Sequence, residues 1–344
     1  MIGEEKPAPP VWLNLLVGGT CALQCQFCTC WSNWQEQIPV AAWAGLFKQI
    51  AEWIPGRHCT ISGWEPLRHP DIKAIIASAH ECGLPTSIIT SGDPIEDAMI
   101  DDLAGWPLDG FAFSIDGFAD THDRLRGRPG LFRKVIGAIE RLKNLRPDFT
   151  ITSITVINRA NQGELSELTD YLLDKPEIDL VGFQALTCFP GPDQRWIDPS
   201  RQPLWPLPYY SVGFLQWLKR RRALTAKLIN SDAQLSFWMK YFYSPASCRD
   251  LDDACHVRNY ALGVKPSGKV VLCDFEQPIG DILKSDIKDI WYGERARQTR
   301  EKMSRCRLIC NYLINCAFED LHMHLLSQLE KEIYFRSSRQ TENR

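Results

Sequence analysis

From Val11 the chain alternates short apolar runs of β character with stretches whose apolar positions recur at helical spacing. The runs VWLNLLV (11–17), HCTISG (58–63), PTSIIT (85–90), DGFAFSID (109–116), FTITSITVI (149–157) and IDLVGFQAL (178–186) predict six strands. Helices are predicted between them over 39–54, 70–82, about 94–104, 130–145 and 161–174. The first four stop at Pro55-Gly56, Gly83, Gly105 and Pro147. Six β–α units with short connections imply a parallel sheet, and right-handed crossovers curl such a sheet toward a barrel. A closed barrel of this type needs eight strands, so the expected fold is α/β, a partial (β/α)6 TIM-like barrel. Its working face lies where the strands end.

After Leu186 the alternation breaks. Residues 187–212 are rich in Pro and aromatics and read as an irregular lid or connector. A helix is predicted over about 213–229. Its run Lys219-Arg220-Arg221-Arg222 reads as a solvated helix face before it reads as an anion site. Residues 248–316 are Cys-rich, with a predicted hairpin of Ala261–Val264 and Lys269–Leu272 turning at Pro266-Ser267-Gly268. The tail from about 317 is helical, then polar and frayed after Arg336. The expected organisation is an N-terminal tail (1–10), the barrel (11–190), a connector with a helix (191–247), a Cys-rich region (248–320) and a C-terminal helix and tail (321–344).

Composition narrows the class. Of 344 residues, 44% are hydrophobic and 24% charged, which excludes a disordered chain. The formal charge of −3 argues against a broad basic face for nucleic acid. Cysteine is the unusual component, at thirteen. A chain this long has no need of a disulfide scaffold, its cysteine count is odd, and its first residues lack a signal-peptide layout. No apolar run approaches the ~18 residues that span a bilayer. The expectation is a cytoplasmic protein with no membrane or nucleic-acid partner, its cysteines mostly thiols.

Directly after the first strand comes Cys21-x3-Cys25-x2-Cys28. Three thiolates on one loop suit an iron–sulfur centre, whereas zinc motifs usually bring four ligands in two spaced pairs. A cubane held by three cysteines leaves one iron open. The segment Cys21-Ala-Leu-Gln-Cys25-Gln-Phe-Cys28 resembles the CxxxCxΦC signature of the radical S-adenosylmethionine (radical SAM) superfamily, Phe27 included. Gly63-Trp64-Glu65-Pro66 resembles the family's GGEP element, whose backbone contacts the SAM amino group, with Trp64 departing at the second position. Thr90-Ser91-Gly92 resembles its TNG element. Ser114-Ile115-Asp116-Gly117, followed by His122-Asp123 and Leu125-Arg126-Gly127, is close to the SxDG…HDxxRG stretch of its peptide- and metabolite-modifying branch.

The resemblance implies a [4Fe–4S] cluster on Cys21, Cys25 and Cys28 whose open iron chelates SAM. Reductive cleavage of SAM then gives a 5′-deoxyadenosyl radical that abstracts a hydrogen atom from substrate. It further implies SAM contacts from Gly63, Trp64, Glu65, Thr90 and Ser91, ribose contacts from Ser114 and Asp116, and packing of Phe27 on adenine.

Cys255-x12-Gly268-x4-Cys273 resembles the opening of the SPASM/twitch extensions that carry auxiliary [4Fe–4S] clusters, and Cys306-x3-Cys310-x5-Cys316 approximates its continuation. The full pattern needs a further cysteine where residue 320 is Asp, so one auxiliary cluster is expected. Cys255, Cys273 and Cys310 are the first ligands expected, with the fourth from Cys306 or Cys316; Cys248 is a further ligand or a hydrogen-atom donor. Zinc is the rival metal there. Cys30, Cys59, Cys82 and Cys188 read as packing thiols, Cys30 standing beside the first loop. Asp274 lies where sulfatase-maturating relatives place a catalytic aspartate. The aromatics Trp196, Trp205, Tyr209, Tyr210 and Trp217 line a pocket or pack the lid.

The expected activity is hydrogen abstraction from a natural-product precursor (peptide, amino sugar or cyclitol), with the auxiliary cluster assisting oxidation or substrate binding and an external one-electron reductant of flavodoxin or ferredoxin type. No additional N-terminal domain of the kind by which many peptide-modifying relatives hold a leader is expected ahead of the first strand, and on that expectation a small molecule or a separately presented peptide is favoured. The alternatives are a redox-neutral epimerase with a Cys hydrogen donor, an iron–sulfur electron carrier, or a zinc-stabilised binding module.

Overall fold

The computed structural model describes residues 6–32, 35–187, 198–248, 255–306 and 308, and its strands form one sheet. Strands β1 (Trp12–Leu16), β2 (Cys59–Ser62), β3 (Thr86–Thr90), β4 (Gly110–Ser114), β5 (Thr150–Ile157) and β6 (Leu180–Ala185) pair in chain order and in parallel. Alternation along each strand divides the residues between two faces. Leu13, Leu15, Ile61, Ile88 and Phe113 are buried in the core, while Trp12, Thr60, Ser87, Ile89, Ala112 and Ser114 line an inner cavity. The first face packs under α1 (Val40–Trp53), α2 (Ile72–Glu81), α3 (Ile100–Ala104), α4 (Ala119–Arg126), α5 (Leu131–Leu145) and α6 (Leu165–Asp174), whose buried residues join the same core. The partial barrel expected from the pattern is present.

Some elements depart from expectation, each for a local reason. The helix predicted over 94–104 is a 3-10 turn at Asp97–Met99 followed by α3, because the Ile95 N–H closes a turn onto Gly92 O before a helix can start. Helix α4 has no apolar stripe to announce it; its polar sequence is held by burial of Thr121, His122, Leu125 and Arg126. Helix α7 (Pro208–Arg222) starts five residues before the expected 213, with Pro208 in the first turn where its fixed φ is favourable, and stops at Arg222. An unexpected helix α8 (Asp232–Tyr243) follows, capped by the Ser231 side chain accepting the Gln234 N–H. The basic run of α7 is structural: Arg221 pairs with Asp170 at 2.8 Å, Arg222 with Asp232 at 3.5 Å, and Lys219 donates to Ser236 Oγ.

The predicted hairpin forms as β7 (Ala261–Val264) and β8 (Lys269–Val271), with Gly268 left-handed at φ 79° in its turn. The expected boundary at 248 nevertheless does not separate it from the barrel. β7 lies parallel to β1, Trp12 opposite Ala261 and Leu15 opposite Val264, so the sheet runs β6-β5-β4-β3-β2-β1-β7-β8-β9, ending at β9 (Gly280–Asp281). Helices α9 (Ile287–Tyr292) and α10 (Glu294–Ser304) complete the region. The buried Trp291 is its anchor: its Nε1 donates to Ala8 O at 3.2 Å, its ring lies 6.3 Å from that of Trp53, and the Arg300 guanidinium sits 4.1 Å over it.

Cys188, Trp196, Cys310, Cys316 and the tail from 317 lie outside the described residues. Among the described residues no helix is long and apolar enough to cross a membrane.

Because β7 and α9 are integrated with β1 and α1, damage to the C-terminal region should be felt by the whole fold. Trp291→Ala is expected to cost about 3–5 kcal/mol. Urea unfolding followed by far-UV and near-UV circular dichroism should show both transitions moving together.

Candidate active site

Cys21, Cys25 and Cys28 follow β1 on one loop and line a single cavity of about 1080 Å³ that extends along the inner face of the barrel. The loop is anchored by burial of Leu23 and Cys25, and by Gln26, whose backbone N–H donates to Leu125 O at 3.0 Å and side chain to Arg124 O at 3.1 Å. A tight turn carries the Cys28 N–H onto Cys25 O. Hydrogen bonding from Cys30 pulls the Cys28 thiol down, while burial pushes the Cys25 thiol up to about 11 in spite of the nearby Arg126. Burial likewise raises Cys21, and both Cys21 and Cys25 feel the charge of Cys28.

Three soft donors around one cavity rim, close enough to perturb one another, fit a thiolate-ligated iron–sulfur cluster. Among the described residues no three His, Cys, Asp or Glu side chains gather to hold a single metal ion. Cys30, expected as a packing thiol, also lines the cavity, whereas Cys59 is buried within β2, its thiol raised to about 12 by burial. Cys82 sits at the C-terminal cap of α2.

The strand ends are tied by two buried carboxylates. Glu65 Oε1 accepts from Thr90 Oγ1 at 2.7 Å and Leu67 N at 3.3 Å, and Oε2 from the Ser91 N–H at 2.8 Å and its hydroxyl at 2.5 Å. Burial pushes its carboxyl above the ordinary value, opposed by the Ser91 and Thr90 bonds. Glu65 therefore joins the ends of β2 and β3; Thr90 and Ser91 reach the cavity and Glu65 does not. Gly63 adopts φ 90°, and a Cβ there would stand 3.0 Å from Leu16 Cβ. Trp64 follows at φ 51° with its side chain on the cavity wall, a left-handed conformation costing a bulky residue on the order of 1–3 kcal/mol.

The second carboxylate corrects an expectation. Ser114 and Phe27 line the cavity, but Asp116 is fully buried and off its wall, with both oxygens engaged, so it does not offer a ribose contact. It holds Arg126, a residue to which sequence reasoning gave no role although it stands in the Leu125-Arg126-Gly127 stretch. Burial opposes the Arg126 charge, but Asp116 and Cys25 more than offset it, so the guanidinium stays firmly protonated. His122 is fully buried beside them; its Nδ1 accepts the Asp116 N–H at 3.0 Å, and burial holds its pKa down to about 4.

In the second constellation, burial raises the Cys255 thiol and the facing Cys306 raises it further. Cys273 Sγ accepts the Phe275 N–H at 3.3 Å, and Lys302 feels the charge of both Cys273 and Cys306. Cys255, Cys273 and Cys306 thus share one neighbourhood, with Cys310 and Cys316 outside the described residues. Cys248 is buried and is not on the cavity wall. Asp274 forms an ion pair with Lys265 and is likewise not on that wall. The aromatics divide: Trp205 packs 5.1 Å from Tyr241 and Trp217 stacks on Phe214, while Tyr209 and Tyr210 are exposed.

A partial parallel barrel with a three-thiol loop at its rim, and a second cysteine group on a hairpin joined to its sheet, defines an iron–sulfur protein of the SAM-dependent barrel class. A radical SAM superfamily profile matches residues 15–172, and an iron–sulfur cluster-binding (SPASM) domain matches residues 255–317. The chain is 24% identical to a PqqA peptide cyclase of Rhizobium meliloti (strain 1021) over 302 residues, 84% of this chain and 75% of that protein. It is 32% identical to an AdoMet-dependent heme synthase of Methanosarcina barkeri over 144 residues, 41% of this chain and 40% of that one.

Two solved structures share the fold at 16% identity. One is anSMEcpe with bound AdoMet and the Kp18Cys peptide (TM-score 0.64, covering 96% of this chain and 100% of that one). The other is Streptococcus suis SuiB bound to its precursor peptide SuiA (TM-score 0.63, 90% and 71%). The chain belongs to the radical SAM superfamily and carries a SPASM auxiliary iron–sulfur domain; it is a radical SAM enzyme.

The buried His122 gives the fold a pH dependence of known sign. Below pH ~6.5 the unfolded chain takes the proton first, so stability is complete above that value and is lost as pH falls toward about 4. Between about pH 7.5 and 5.5 the wild type should lose on the order of 1 kcal/mol more than His122→Asn, which keeps an acceptor for the Asp116 N–H. Urea titrations of both proteins at the two pH values check this.

Proposed function

We propose that this enzyme abstracts a hydrogen atom from a natural-product precursor, a peptide in the first instance and an amino sugar or cyclitol as the alternative. The observation that carries the reading is the cavity: at about 1080 Å³ it leaves room for a second molecule beside SAM, and the three thiols stand on its rim. The PqqA peptide cyclases, whose similarity covers 84% of this chain, support the peptide.

When bound, SAM and its cluster supply a 5′-deoxyadenosyl radical, and the auxiliary cluster supplies an electron acceptor or a substrate anchor. The chain's own residues hold and enclose these groups. Cys21, Cys25 and Cys28 would ligate the first cluster. Cys255, Cys273 and Cys306 would ligate the second, with Cys310 or Cys316 completing the set. Ser114, Thr90 and Ser91 offer polar contacts on the cavity wall, and Phe27 and Trp64 offer aromatic surface that keeps water from a reactive intermediate. Oxidation is favoured over epimerisation, because Cys248 does not reach the wall where a hydrogen donor would stand. An external one-electron reductant is required.

Anaerobic reconstitution should load about eight iron atoms per chain, as two four-iron clusters require. Dithionite and SAM should then release 5′-deoxyadenosine, and a precursor peptide deuterated at the reacting carbon should transfer deuterium into it. No 5′-deoxyadenosine, even uncoupled, overturns the enzymatic reading. Deuterium transfer from a cyclitol or amino sugar but from no peptide moves the substrate to the alternative.

A further inference from the structure

Asp116 and Arg126 form a buried ion pair that the reading above leaves without a task, and its geometry aims a charge. Asp116 Oδ2 accepts from Arg126 Nε at 2.7 Å and Nη2 at 2.5 Å, while Oδ1 accepts the Val156 N–H at 2.8 Å. The backbone of Asp116 is fixed too: its N–H donates to His122 Nδ1, and its carbonyl accepts from Asn161 Nδ2 at 2.8 Å. With Nε and Nη2 committed, Nη1 points at Cys25 Sγ, 3.8 Å away. Phe27 covers the guanidinium, its ring centroid 5.2 Å from Cζ. Both Arg126 and Cys25 are buried, so little water screens the interaction.

We propose that Arg126 is a positioning residue that sets the reduction potential of the first cluster through an N–H···S bond to Cys25, with Asp116 holding it and moderating its charge. Reduction transfers one electron from the external donor to the cluster and adds one negative charge there. A cation against a ligating sulfur stabilises that more negative state and raises the potential; the carboxylate behind it acts in the opposite sense. The inference rests on the Cys21, Cys25 and Cys28 cluster site and not on the substrate class.

The test is a potentiometric titration followed by electron paramagnetic resonance on reconstituted wild type, Arg126→Gln, Arg126→Lys and Asp116→Asn. Iron and sulfide are counted in each. The first cluster is recognised by its spectral change on adding SAM, and the auxiliary cluster serves as internal reference. Arg126→Gln should shift the first potential downward, Arg126→Lys should fall between it and wild type, and Asp116→Asn should shift it upward. The auxiliary potential should stay in place.

A merely structural pair would not give opposite signs, since loosening that admits water favours the more charged reduced state in every variant. Shifts of one sign, or no shift, overturn the proposal; so does an unmoved potential with a weakened SAM dissociation constant, which would give Arg126 to SAM instead. If Arg126→Gln takes up no iron, the downward shift expected of Arg126→Lys, opposite in sign to that of Asp116→Asn, decides by its presence or absence. The potential is read without turnover, so a wrong substrate class leaves this result untouched.

Discussion

A carboxylate shut away from water must be supplied with donors, and two such carboxylates hold the rim of this barrel. An unsatisfied buried charge costs several kcal/mol, so these side chains demand their partners and thereby fix the loops that carry them. Glu65 collects the Thr90 hydroxyl, the Ser91 N–H and hydroxyl, and the Leu67 N–H, which joins the ends of β2 and β3. Asp116 collects Arg126 and the Val156 N–H, which joins β4, β5 and α4. The loops that present Trp64, Thr90, Ser91 and Ser114 to the cavity are placed by residues that never reach it.

The cysteine loop is held from both sides by the sheet. It emerges from β1, which lies between β2 and β7, and beyond the loop the Ile38 N–H donates to Pro266 O at 2.9 Å in the β7–β8 turn. Lys265, in the same turn, pairs with Asp274 next to Cys273 and lies within electrostatic reach of Cys30. Both thiol groups thus hang from one continuous sheet. A site carried on strands keeps its geometry better than one carried on loops alone. That matters where a radical must meet one chosen carbon.

The six barrel strands were legible because each is a β-rich run bounded by a turn or helix signal, and parallel pairing in chain order then follows from the short connections. The three-cysteine loop on the cavity wall was legible because its spacing is local. Helix α4 was not, since ADTHDRLR carries no apolar period and is helical through contacts made by His122 and Arg126. Helix α8 did carry a signal, the Ser231 cap ahead of Leu235, Trp238, Tyr241 and Phe242, hidden among aromatics that read as lid. The union of β7 with β1 was invisible because it pairs residues some 250 positions apart, and no local pattern encodes that. Asp116 was misplaced for a related reason: a strand-end Asp beside a cofactor site looks like a ligand contact until its partner, ten residues on, is seen to consume it.

Position also decides what each cysteine can be. Cys59 sits inside β2 with its thiol raised to about 12 by burial, which keeps it neutral and suits it to packing. Cys28 has the reverse setting: hydrogen bonding from Cys30 lowers its thiol and favours the thiolate. Cys25 needs help, because burial opposes its ionisation and only Arg126 stands against that effect. Iron bound at that sulfur would favour the thiolate, and the guanidinium at 3.8 Å acts on the same atom in the same sense. The most buried thiol of the loop is therefore the one in contact with a cation, and the carboxylate that holds the cation also joins the ends of β4 and β5.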